Sequence, residues 1–521
     1  MSASTPAPDA AVEDRPFTES AHTGLLMVAV MGVSVVQFLD LTIANVALPH
    51  MRTALGATPE SISWVLTSFI MAGVMVLPLT GWLSDRFGSR NLFIGATALF
   101  LIASALCGAA TSLTQMVIFR AIQGVAAAFI GPLSQTIMFD INRPSRQAQA
   151  MALWGIVVMI GPISGPFLGG YLTDVLDWRW VFYVNLPIGI PALILLWWLL
   201  PSRPIIRRQL DVFGALVLGT GLCALQLLLD RGSHNDWFDA TESVIELLVA
   251  LSAFWIFFVH TRQVDHPLFE ARMVKNANFI GGLLFMVILG ITNVALSAVL
   301  PMLYQTVYNY TVMDTGLLMV PRGLGVLVTM ILTSRLIGRV DARILITVGY
   351  TLAAASLYMM TTWSLEMDYR MIVVSGFIQG LGLGFVFVPV NLIAFSTLAP
   401  NYRTDGSTLM TLFRNVGASF GISIIVTALA RNMQVSHADI ASNVTSFNLP
   451  AIDPAGAAAQ LGAVGDAALA MLNGEVSRQA AFIAYLDNFY MLFWLLVAII
   501  PLAWVVKRPH PIGGRQQLPG E

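Results

Sequence analysis

Lysine is almost missing from this 521-residue chain, occurring only as Lys275 and Lys507. Neither lies in a GxxxxGK[ST] loop, so the phosphate cradle of an ATP-driven pump is excluded. Only two cysteines occur, Cys107 and Cys223. Both sit inside apolar runs, which supports neither a disulfide framework nor a thiolate metal site. None of the seven histidines falls deep in an apolar run, His260 being at an edge. An embedded metalloenzyme is therefore not expected, and the reading assigns no metal, no cofactor and no enzymatic activity. Charged residues make up 11% against about 25% in soluble proteins. The net charge of −2 gives no reason to expect a nucleic-acid partner.

What fills the chain instead is apolar: 57% hydrophobic residues and a mean hydropathy of +0.76. Runs of about 17 to 25 apolar residues suffice to cross a bilayer. Fourteen are predicted, over 24–48, 61–82, 92–110, 115–137, 150–172, 181–200, 212–229, 242–260, 277–298, 312–334, 343–362, 370–392, 405–430 and 485–506. Residues 1–23, Pro/Ala-rich and acidic, read as a disordered cytoplasmic tail and not as a signal peptide. With both termini inside, eighteen Lys and Arg fall in inner loops and tails, six in outer loops and three within spans. The positive-inside rule then predicts an even number of spans and cytoplasmic termini. Residues 431–484 read as a long, partly helical outer loop, and 507–521 as a second cytoplasmic tail.

Two segments recur. FRAIQGVAAAF in span 4 resembles SGFIQGLGLGF in span 12, with Gln123–Gly124 and Gln379–Gly380 256 residues apart. GWLSDRFGSR from Gly81 resembles SRLIGRVDAR from Ser334, offset by 253. Nearly equal offsets suggest that spans 1–6 recur as spans 9–14, with spans 7 and 8 inserted. Internal repeats of this kind point to a transporter, whereas a channel would need a selectivity ring. The predicted architecture is all-α and polytopic. It comprises a six-helix bundle over 24–200, two inserted helices with linkers over 201–275, and a second six-helix bundle over 276–506.

One acid stands out. Asp40, in VVQFLDLTIANVALP, lies inside the first span, where a carboxylate costs about 2.5 to 3.5 kcal/mol. Burial favours the neutral form of a carboxyl, so such a group can load a proton from one side and release it to the other. A structural aspartate satisfied by hydroxyls such as Thr42 is the plainer alternative. Arg120 in span 4 cannot deprotonate and needs a partner, and Asp40 is the nearest deep acid. The equivalent position in the second half is Gly376, so this machinery is one-sided. Gly161, Gly165 and Gly169 sit four apart with Pro162 and Pro166 between them, a pattern that allows close helix contact and bending. Candidates for the lining of a central cavity are Asn45, Gln123, Asn293, Tyr304, Arg322, Gln379, Asn391 and Arg414. Among them Arg322 and Arg414 stand out, because an arginine within a span faces water or a partner.

LDLTIANVALP, GWLSDRFGSR, RAIQG, GPISGPFLGG, DWRWVFYVNLPIG and AAFIAYLDNF together resemble the EmrB/QacA-like, fourteen-span drug:proton antiporter branch of the major facilitator superfamily. The resemblance implies two bundles rocking about a central cavity in the inner membrane, with protons driving export of hydrophobic or amphipathic toxic compounds. It implies a proton-transfer role for Arg120 and an antiport role for the Gly161–Gly169 segment. It also implies a latch formed by Gly81, Asp85, Arg86, Gly88 and Arg90. The second copy departs from that latch, since Ser334, Gly338 and Asp341 replace Gly81, Asp85 and Gly88. An EmrB-like exporter would offer its outer face to an EmrA-like periplasmic adaptor leading to an outer-membrane channel. The competing function is proton-driven export of one metabolite, such as an amino acid or siderophore.

Overall fold

A computed structural model describes the chain except residues 1–15, 19, 21, 204, 206–208, 233–236, 271–272, 274, 338, 444–462 and 507–521. Most of the N-terminal tail, the whole C-terminal tail and the centre of the 431–484 segment thus lie outside the described residues. Long apolar stretches with capped starts have become helices. We number the long ones α1 (Thr23–Ala54), α2 (Trp64–Phe87), α3 (Ser89–Ala109), α4 (Leu113–Asp140), α5 (Gln147–Val175), α6 (Trp180–Leu199) and α7 (Val212–Arg231). They continue as α8 (Thr241–Gln263), α9 (Ala277–Thr306), α10 (Val312–Leu336), α11 (Ala342–Thr361), α12 (Tyr369–Ser396), α13 (Arg403–Asn443) and α14 (Ala463–Ile499). Side-chain caps mark several starts: Ser112 accepts from the Gln115 amide, Asp211 from Gly214 and Thr311 from Asp314. Among the described residues thirteen helices are long and apolar enough to cross a membrane. The fourteenth is α5, whose 29 residues reach about 43 Å.

The helices form two bundles with matching internal contacts. In the first, α1 packs on α5, α2 on α4, and α3 on α4 and α6; in the second, α9 packs on α13, α10 on α12, and α11 on α12 and α14. The same close approaches recur in both. A Cβ on Gly124 would come within 2.1 Å of the Phe69 carbonyl, and one on Gly380 within 2.0 Å of the Arg322 carbonyl. Both glycines therefore mark a helix crossing that no side chain fits, and Phe69 and Arg322 are 253 apart, as in the loop repeat. Gly161 and Gly165 press on Phe38 and Thr42 of α1 just as Gly417 and Gly421 press on Val287 and Ile291 of α9. The glycines again lie 256 apart and the residues they press on 249 apart, a further trace of the duplication.

The inserted pair, α7 and α8, is peripheral. α8 exposes Leu248, Leu251, Trp255 and Phe258, a surface fit for lipid. α7 touches both bundles. Asp230 accepts from Thr67 of α2 (2.9 Å), and Gln226 accepts from Ser419 of α13 (2.7 Å). Beyond it Trp237, at φ 57°, donates to Thr427 (3.1 Å).

The structure corrects three expectations. The segment 431–484 is not mainly loop: α13 runs on to Asn443 and α14 begins at Ala463, so the last span is much longer than 485–506. The connection left between the second and third predicted spans, 83–91, is not all loop, because Thr80–Phe87 is helical and only Gly88 (φ 84°) reverses the chain. The end of the predicted N-terminal tail is packed: Thr18 donates its amide to the Asp140 carbonyl (3.0 Å), and Phe17 lies under the Arg203 guanidinium.

Candidate functional site

Asp40 lies within the first bundle with its side chain fully buried. Arg120 of α4 donates to its Oδ2 at 2.6 Å, while Gln123 of α4 (3.0 Å) and Asn185 of α6 (2.9 Å) donate to its Oδ1. Arg120 also donates from Nη1 to Gln123 Oε1 (2.8 Å) and from Nε to the Val65 carbonyl (3.2 Å), and its Cζ lies 4.2 Å from the Phe69 ring centroid. Ser104 of α3 accepts from Asn185 (2.9 Å) and donates to the Phe182 carbonyl (2.9 Å). Cys107 Sγ sits 3.7 Å from Gln123 Oε1. Two helices, α4 and α6, thus place three donor side chains around one carboxylate, and α2 and α3 hold those donors in turn. A buried ion pair holds only when its remaining hydrogen-bonding capacity is met, and here most of it is. Thr42, the hydroxyl weighed as the partner of Asp40, instead donates to the Leu39 and Gly161 carbonyls.

On α1, Phe38 and Asp40 are two residues apart and so point about 200° apart around the helix. Asp40 faces the first bundle, whereas Phe38 faces the seam between bundles. The Arg414 guanidinium of α13 lies 5.5 Å from the Phe38 ring centroid. Trp154 packs edge-on against Phe38 and stacks on Phe387 of α12 (5.9 Å). Arg414, Gln135, Trp154, Phe387 and Asn391 line a small pocket there. Arg322 of α10 is held by the Asn293 side chain (2.7 Å) and carbonyl (3.1 Å) and by Ser297 (3.0 Å). Neither Arg322 nor Arg414 contacts a carboxylate among the described residues.

The bundles are bolted together at the end that carries Gly88. Asp140 of α4 is clamped by Arg203, from the linker after α6, and by Arg403 of α13 (3.2 Å). Arg203 also reaches Thr404 (3.3 Å). Ser407 donates to the Pro132 carbonyl (3.0 Å) and to Gln135, and Gln135 donates to Asn391 (2.5 Å). Gly81 of α2 lies so close to Asp405 of α13 that a Cβ would fall 1.5 Å from its Oδ1. Its glycine is needed for that approach rather than for turn geometry. At the opposite end the bundles meet along α5 and α10, where Gly316 faces Phe167, and through α7.

Several predicted residues fall elsewhere. Gln123 belongs to the Asp40 cluster and not to the central cavity. Gln379 and Tyr304 are buried inside the second bundle, with Tyr304 packed against Trp363. Asn45 is exposed and donates to the Leu41 carbonyl (3.5 Å) of its own helix. Arg90 donates to the Trp197 carbonyl (2.6 Å), Arg86 is exposed and Asp85 is half-buried. Gly169 lies against Ile43 of α1. Pro162 and Pro166 fall in α5, with side chains outside the described residues. Sequence reasoning missed Asn185, Ser104, Gln135, Trp154, Asp140 and Asp405. Only Asp140 and Asp405, acids at the ends of apolar runs flanked by arginines, carried a visible signal.

Two six-helix bundles with matching contacts, one holding a fully buried carboxylate–guanidinium pair and the other two arginines that meet no carboxylate among the described residues, define a membrane transporter. The Major Facilitator Superfamily model matches residues 30–422, and the chain belongs to that family. It is 32% identical to the multidrug export protein EmrB of Escherichia coli K12, over 95% of this chain and 98% of that one. It is likewise 32% identical to the fatty acid resistance protein FarB of Neisseria gonorrhoeae, over 93% and 96%. The multidrug resistance protein B homolog of Mycobacterium tuberculosis H37Rv is 30% identical, over 97% and 93%. In fold the chain is similar to the human organic anion transporter MFSD10, with a TM-score of 0.57 and 15% identity over 91% and 99% of the two chains. It is also similar to the proton:xylose symporter XylE, with a TM-score of 0.58 and 12% identity over 94% and 99%. The protein is a multi-pass membrane transporter.

Proposed function

We infer that this protein is a proton-coupled antiporter that exports hydrophobic and amphipathic toxic compounds by alternating access. The observation that carries this reading is the Asp40–Arg120 pair, a titratable group buried in the bundle opposite the one that carries Arg322 and Arg414. Protonating Asp40 would strip Arg120 of its counter-charge, and leaving one partner of a buried pair alone costs about 3–5 kcal/mol. The cluster must then rearrange, shifting α4 and α6 against α1. Phe38 rides on α1 beside Arg414, so that shift reaches the cavity.

The positive-inside distribution makes the Gly88 end cytoplasmic, with both termini inside. The Asp140, Arg203, Arg403 and Gly81–Asp405 contacts then form an inner gate, closed here. Gly161, Gly165 and Gly169 provide the close α1–α5 contact about which α5 bends. The unpaired Arg414 and Arg322 favour acidic or neutral amphipaths over lipophilic cations. One relative is named for resistance to fatty acids, which are acidic amphipaths. On the outer side α13 and α14 run well past a bilayer's thickness and are joined by a His437–Asn473 bond (3.1 Å). This helical hairpin is the surface we assign to an EmrA-like periplasmic adaptor.

The test is export into inverted vesicles under an imposed pH gradient, with a panel of compounds. Asp40→Asn should insert normally and bind substrate but lose gradient-driven export. Export at the wild-type rate would refute the assignment.

A further inference from the structure

Asn185 has hydrogen-bonding capacity to spare beside the Asp40 carboxyl. Its Nδ2 donates to Asp40 Oδ1 and to Ser104 Oγ, both at 2.9 Å. Its Oδ1 is buried and has no partner among the described residues. The neighbours dictate which way the amide points. Ser104 spends its proton on the Phe182 carbonyl and so can only accept, and an ionised carboxylate has no proton to give. Gln123 differs, because its Oε1 is already taken by Arg120 and Cys107. An unmet buried carbonyl oxygen is costly, and this one belongs to a side chain that touches Asp40.

Resting on the reading of Asp40 as the proton site, we propose that Asn185 is a positioning residue for proton transfer. Its amide serves Asp40 in both protonation states. Nδ2 donates to the carboxylate, and after the amide turns over Oδ1 accepts the O–H of the neutral acid. The proton comes from a hydronium ion, whose O–H bond breaks as the Asp40 O–H bond forms and water leaves, and the turn of the amide itself breaks only hydrogen bonds. No other side chain at the cluster combines a donor on Asp40 with a free acceptor among the described residues. The elements around Asp40 bring Arg120 from α4 and the Cys107 thiol from α3 as titratable groups. α2 brings the Val65 carbonyl and Phe69 ring, α5 its glycine backbone, and α6 the Phe182 ring together with Asn185. Because Asn185 lies on α6, each turn of the amide also changes what ties α6 to α1.

The test is the pH profile of export in vesicles, read together with substrate binding. Asn185→Leu keeps the volume and deletes the amide. A hydrogen bond to a charged group is worth more than one to a neutral group, so the ionised form loses more. The half-maximum of export should move upward by about one pH unit, with substrate affinity unchanged. Ser104→Ala touches the amide but not the carboxylate, and should give a smaller shift in the same direction. It also serves if the leucine variant fails to insert. Asp40→Asn in the same assay should abolish the pH dependence. If it does so while both Asn185→Leu and Ser104→Ala keep the wild-type half-maximum, Asn185 only packs and the proposal is overturned. If Asp40→Asn leaves the pH dependence intact, the reading of Asp40 itself fails.

Discussion

Removing Arg120 and removing Asp40 should not be independent injuries. Arg120→Gln deletes the 2.6 Å contact and leaves a fully buried carboxylate with only Gln123 and Asn185 as donors. Deleting one partner of a buried pair costs about 3–5 kcal/mol, mostly the penalty of the stranded charge. Asp40→Asn strands the guanidinium instead, although the Val65 carbonyl and Gln123 Oε1 still hold it, so its cost should lie at the lower end. The double variant Asp40→Asn/Arg120→Gln strands no charge, and its amides can bond to each other. Its loss should therefore fall below that of Arg120→Gln alone, with a coupling energy of about 2–3 kcal/mol. The assay is a double-mutant cycle of unfolding in mixed micelles, supported by expression level and monodispersity. Additivity within about 0.5 kcal/mol would show that the pair does not act as a unit, and the coupling argument would fall with it.

Three further outcomes follow from the geometry. Gly81→Ala places a Cβ on top of Asp405 Oδ1 and should cut export at least about tenfold, an effect of 1.4 kcal/mol on the closed state; Asp405→Ser should restore part of it, and no loss in Gly81→Ala would refute a closed inner gate at this point. Arg414→Gln should reduce protection against acidic uncouplers about tenfold while leaving protection against quaternary ammonium dyes unchanged or better, read as resistance profiles in an efflux-deficient host; the reverse pattern would sink the charge assignment. Cysteines at Gln226 and Ser419, whose side chains meet at 2.7 Å, should when joined by a short thiol cross-linker tie α7 to α13 and stop export until the link is cleaved; undiminished export by the cross-linked protein would show that this seam does not move.

Membrane insertion, span number and the duplication were legible in the chain because they depend on short-range statistics. An apolar run of 20 residues can satisfy its backbone in lipid only as a helix, and repeated motifs survive as strings. Asp40 and Arg120 could also be singled out locally, since a charge inside such a run is costly wherever it lies. Their mutual contact could not: it brings together residues 80 apart, and nothing in either segment encodes the crossing of α1 and α4. Asn185 and Ser104 are ordinary span residues until α3 and α6 aim them at one carboxylate. Gln123 and Gln379 occupy equivalent repeat positions yet have different surroundings, because Arg120 has a glycine, Gly376, as its counterpart. The Arg203–Asp140–Arg403 clamp joins a linker and two bundles, a meeting that packing between the halves decides. The chain thus specified which residues pay for burial, and tertiary structure decided which partners offset that cost. Helix formation is a local matter, while the pairing of buried charges depends on which faces the bundles turn toward each other.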